Sequence, residues 1–176
     1  MTIRPRPRTW ADRVGRRTVQ SHVLFGGVYG TVLASSLVAA LAPHGTGRSF
    51  SYLYDAAWLL ITALASALAH GYAHLVAARG AYVTHGPLTA LRSMVDEWPL
   101  LVATLPSLIL LVGAGMRWWP SGGIEYVILT VNTVLLFSWG LAAGRAGGRN
   151  WPTSVRTGIA DALLGVAVIV ANTVIK

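Results

Sequence analysis

His70 and His74 stand four residues apart within a run of 23 residues, between Asp55 and Arg79, that carries no Asp, Glu, Lys or Arg. On a helix this spacing turns both imidazoles to one face, with Ser66 and Thr62 one and two turns earlier. Two neutral imidazoles so placed can clasp a divalent transition-metal ion or pass protons along the face. The plainer alternative is that each bonds a hydroxyl or carbonyl group and locks helix packing. Tyr29 lies mid-way along another apolar run, among Gly26, Gly27 and Gly30. A phenol buried there needs a hydrogen-bond partner, and a histidine from a neighbouring helix is a suitable one. Tyr29, His70 and His74 are therefore the candidate substrate or metal site. Ser66, Asn132 and Asp161 are candidates for a polar relay, against the plainer roles of an interhelical hydrogen bond for Asn132 and an arginine pairing for Asp161.

Much other chemistry is excluded or unsupported. The chain has no cysteine, so disulfides, thiolate metal sites and cysteine nucleophiles are ruled out. No phosphate-binding loop, nucleophile elbow or carboxylate pair stands out, so no enzymatic activity is expected. The only cofactor-like expectation is a divalent transition-metal ion handled as substrate. A net charge of +8 would suggest nucleic acid in a soluble protein, but 54% of the 176 residues are hydrophobic and only 11% charged. That balance belongs to membrane spans flanked by arginines, and the expected surroundings are a lipid bilayer and no nucleic acid.

The elements that must position these residues follow from length. A helix needs about 20 apolar residues to cross the hydrocarbon, and such segments recur five times: about 19–42, 56–78, 98–116, 126–144 and 158–175. Lipid offers the backbone no partners, so each is expected to be helical, and the period-2 alternation of a barrel is absent. The fold class is an all-α polytopic bundle of five transmembrane helices, with a basic segment over 1–18 and the membrane domain over 19–176. Ala40-Leu41-Ala42 has a small-x-small pattern, but the long apolar run and Pro43 favour a retained first span over a cleaved leader. Pro43, Gly45 and Gly47, then Pro120 to Gly123, then Gly147, Gly148 and Pro152 mark short connections. Residues 79–97 form a longer loop in which Pro87 could open a short interfacial helix reaching Val95, and Asp96 and Glu97 give the third span an acidic start.

Arginine placement orients the bundle. Arg4, Arg6, Arg8, Arg13, Arg16, Arg17, Arg79, Arg92, Arg145, Arg149 and Arg156 fall on one side, and only Arg48, Arg117 and Lys176 on the other. The positive-inside rule then puts the N-terminus in the cytoplasm and the C-terminus outside, as an odd number of spans requires. Arginine outnumbers lysine 13 to 1, a bias typical of a high-GC bacterial genome, so the expected location is a bacterial cell membrane. Gly26, Gly30 and Ala34 on the first span, and Gly140 and Gly144 on the fourth, form small-residue faces for close helix packing. A homodimer through the Gly26/Gly30/Ala34 face is the expected assembly.

In order, the spans resemble the vacuolar iron transporter family. The stretch 131–175 is similar to the family's closing pattern: an apolar helix ending in Gly140-x-x-x-Gly144-Arg145, a short basic loop, and a glycine-containing last helix. VLFGGVYGTVLAS in the first span resembles the segment that holds the family's Asn-Asp-Gly motif, and ALASALAHGYAHLVAARG resembles its Ala-Leu-Ser-Met segment, which is followed by Glu-Tyr. The resemblance implies five helices, the topology above and transport of a divalent metal. Tyr29 stands where the family's metal-binding Asp would be, His70 at its Met and His74 at its Glu. The family's carboxylate-rich insertion between spans two and three is replaced by residues 79–97. The expected function is thus a transporter of divalent metal cations, and the alternative is a non-transporting membrane assembly protein that kept the bundle without the metal site.

Overall fold

The chain is described by a computed structural model over residues 10–41, 49–79, 95–120 and 122–175. Five helices account for nearly all of these: α1 (Trp10–Leu41), α2 (Ser49–Arg79), α3 (Trp98–Gly115), α4 (Ile124–Ala146) and α5 (Trp151–Ile175). Each contains a stretch long and apolar enough to cross a membrane: Ser21–Leu41, Tyr52–Ala77, Trp98–Gly115, Ile124–Ala146 and Trp151–Val174. The arrangement of side chains agrees with a bilayer as solvent. Val134, Leu163 and Val174 are 60%, 60% and 77% exposed, whereas Thr31, Ser107 and Asn132 are fully buried. Apolar groups outside and hydroxyls and amides inside are what lipid selects, because a polar group facing hydrocarbon loses its hydrogen bonds. The protein is a multi-pass integral membrane protein.

α1 begins already at Trp10 and α4 covers 124–146, and two connections are shorter than expected. Residues 49–54 belong to α2, not to the connection before it, and 151–157 belong to α5, not to the loop. The second shift has a visible cause. Asn150 accepts the Thr153 backbone N–H on Oδ1 at 3.1 Å and caps the helix. Pro152 then falls in the first turn, where its missing N–H breaks no helical bond. The stretch from Pro87, expected to form an interfacial helix, lies outside the described residues apart from its last residue, Val95. Arg4, Arg6 and Arg8 lie outside them as well.

Glycines decide which helices touch. α1 is central, packing on α3 and α4, while α2 leans on α3 and α5 lies along α4. A Cβ on Gly26 would lie 3.0 Å from the Leu100 nitrogen and from the Pro99 Cβ, and one on Gly30 would strike the Leu100 carbonyl. The Gly26/Gly30/Ala34 stripe is therefore consumed inside the chain, with both glycines packed on α3. The small residues serve close approach to a helix of the same chain. Gly140 and Gly144 likewise receive α5, with Gly158 Cα and Ser154 Cα at 2.8 and 2.7 Å from where their Cβ atoms would be.

One side-chain bond ties α3 to α4 in the apolar interior. The Ser107 hydroxyl donates to Asn132 Oδ1 at 3.0 Å, both residues being fully buried. Interhelical bonds of this kind in membrane proteins contribute about 0.6 kcal/mol on average and up to about 1.7. Ser107→Ala should lower unfolding stability in detergent by an amount in this range, and adding Asn132→Ala should cost less than the two single losses summed. A strictly additive double variant would show that the bond contributes nothing.

Candidate cation site between the first three helices

Three helices meet at the end of the bundle where α1 begins and α2 ends. His22 on α1, His74 on α2 and Glu97 at the start of α3 bring one donor atom each to within 4.8 Å of one another. His74 Nε2 stands 3.5 Å from Glu97 Oε1. The His22 and His74 rings lie 5.5 Å apart at 40°. Two donors bound to a common tetrahedral ion at 2.0–2.2 Å are separated by about 3.4 Å. The His74–Glu97 pair already has that spacing, and a movement of roughly 1 Å by a side chain would complete a two-imidazole, one-carboxylate set.

Glu97 is the unusual member. Its side chain is 2% exposed while His74 is 56% exposed, and its Oε1 has no hydrogen-bond partner among the described residues. It occupies the N-cap position of α3 without making a side-chain capping bond. The helix terminus favours a negative charge there. A buried carboxylate oxygen whose one partner among the described residues is an imidazole at ion-pair distance is nonetheless costly, and such a group suits a cation.

Deeper along the same pair of helices, His70 meets Tyr29, ring centroids 4.7 Å apart and edge-on, with Phe25 5.9 Å from His70. His70 Nδ1 lies 2.9 Å from the Ser66 carbonyl oxygen. A carbonyl only accepts, so this bond puts the proton on Nδ1 and leaves the Nε2 lone pair for a ligand or a proton. The same second bond orients metal-binding histidines in general.

The expected site thus divides. Tyr29 and His70 come together, and His74 belongs one turn away with two residues that sequence reasoning had not combined with it. His22 opens the first span and was not singled out, and Glu97 entered chiefly as a helix-start carboxylate. A signal existed: three of the five histidines lie in apolar spans, and His22, Phe25 and Tyr29 share one helical face. Of the relay candidates, Ser66 takes part through its carbonyl. Asn132 belongs to the α3–α4 contact and Asp161 to the α4–α5 contact, its Oδ2 being 2.6 Å from a Cβ built on Gly140. The three do not form one relay.

Comparison with family models, curated proteins and solved structures returned no match. The chemistry rests on the residues themselves.

Proposed function

We propose that this membrane protein transports a divalent transition-metal cation, which binds first between His22, His74 and Glu97. The observation that supports this most is the convergence of two imidazoles and a buried carboxylate whose Oε1 has no hydrogen-bond partner among the described residues, contributed by three different helices. Imidazole nitrogen with a single carboxylate suits Zn²⁺, Co²⁺ or Ni²⁺ better than Mg²⁺ or Ca²⁺, which take oxygen. The cargo class agrees with the resemblance to the vacuolar iron transporter family, but the ligands are this chain's own. On the arginine bias the N-terminus is cytoplasmic and the membrane that of a bacterial cell, so the site faces the cytoplasm. Tyr29 and His70 form the next position inward. Pairing into a homodimer would have to use a face other than Gly26 and Gly30.

Reconstituted vesicles loaded with a metal-sensitive dye test the reading. Wild-type protein should carry Zn²⁺ or Co²⁺, and His74→Ala should slow entry by about tenfold or more, since even outer-shell losses at metal sites weaken them by about 10–100-fold. No flux for any first-row divalent metal would favour the assembly role.

A further inference from the structure

The turn from α4 into α5 gathers positive charge at the membrane edge. Gly148 takes a φ of +74°, and the backbone N–H groups of Gly148 and Arg149 donate to the Arg145 and Gly144 carbonyl oxygens at 3.0 and 3.1 Å. These bonds close α4 with a left-handed glycine, and α5 starts at Trp151. The reversal brings Arg145, the last charged residue of α4, over the start of α5. Its guanidinium carbon lies 4.8 Å from the centroid of the Trp151 ring. Its Nη1 donates to the Arg149 carbonyl oxygen at 3.3 Å.

A guanidinium has five N–H donors, and that bond engages one of them. Arg145 and Arg149 are both exposed, and neither pairs with a carboxylate among the described residues. Asp161, the acidic residue nearest to them in sequence, lies against Gly140 instead. Trp151 is 60% exposed and is the first residue of a membrane span, where tryptophan rings lie among lipid headgroups. Stacking on this ring holds the Arg145 guanidinium at headgroup depth without neutralising it.

We infer that Arg145, Arg149 and Trp151 form a binding site for the headgroup of an anionic phospholipid. The two guanidiniums take the phosphodiester oxygens, to which their planar N–H forks are matched. The Trp151 ring lies against the glycerol and the first acyl carbons. A zwitterionic headgroup would bring its own cation up to the arginines, so the surface selects lipid of net negative charge. The site shares no residue with the His22/His74/Glu97 cluster and stands whether or not that cluster binds metal.

Native mass spectrometry of the whole protein, released from micelles holding equal amounts of phosphatidylglycerol and phosphatidylcholine, tests it. Each arginine near the surface is worth about fivefold in affinity for anionic lipid, so wild type should prefer phosphatidylglycerol by about 25-fold. Arg145→Gln and Arg149→Gln should each lower that preference by about fivefold. Arg156→Gln, at a position about 140° round α5 from Trp151, should leave it unchanged. Equal retention of the two lipids by wild type overturns the site, and that comparison stands even if a substitution impairs folding. A loss in Arg156→Gln as large as in the other two would show that net charge alone attracts the lipid, and overturns it as well. Displacement of the bound lipid by an equal concentration of inorganic phosphate would mark a site for free anions and also overturn the lipid assignment.

Discussion

Zn²⁺ at about a hundredfold excess over its dissociation constant should stabilise the detergent-solubilised protein by about 2.7 kcal/mol, the linkage expected of a ligand that binds only the folded state. For a chain of this length that raises the unfolding temperature by roughly 5–10 °C. Glu97→Gln and His74→Ala should each abolish the shift, the first because it removes the anionic donor while keeping the shape. His70→Ala should leave it largely intact, since His70 belongs to the neighbouring position. The response to metal separates a metal site from a simple ion pair, because a bare His74–Glu97 pair would give no stabilisation by any metal.

The second large effect concerns packing. Gly30→Leu should destabilise the folded chain by about 3 kcal/mol or more, at the upper end of overpacking, because the obstacle is the Leu100 carbonyl and the Ala103 Cβ, 2.9 Å from the new Cβ. Backbone cannot rotate aside as a long side chain can. Guest stability is read as the loss of helical signal on heating or on titration with denaturing detergent. If Gly30→Leu were as stable as wild type and merely altered oligomer size, the stripe would be a subunit interface and the α1–α3 contact would be wrong.

The same stripe shows what sequence can and cannot convey. Small residues at four-residue spacing announce close helix approach, but the pattern does not say whether the neighbour belongs to the same chain. Gly26 and Gly30 receive Pro99 and Leu100, a choice made by the tertiary arrangement. The five spans were legible because hydrocarbon thickness fixes their length and the charges that interrupt them are few. The α5 start was misplaced because Pro152 was read as a loop residue, although Asn150 before it is a capping signal. His70 and His74 were visible as a pair by periodicity along one helix. Glu97 lies 23 positions beyond His74 in sequence, and His22 lies 52 before it. No local pattern links residues so far apart, and only the meeting of α1, α2 and α3 brings them together.

Calorimetric titration of the purified protein with Zn²⁺ at neutral pH, comparing wild type with His22→Ala and His70→Ala, tests the central claim most directly. His22 distinguishes the three-helix site from a pair confined to α2, because it is a donor in the first and absent from the second. One ion per chain should bind to wild type and to His70→Ala with similar affinity, while His22→Ala should bind about tenfold more weakly or worse. Undiminished binding by His22→Ala together with loss in His70→Ala would contradict the site and return the metal to the His70–His74 face.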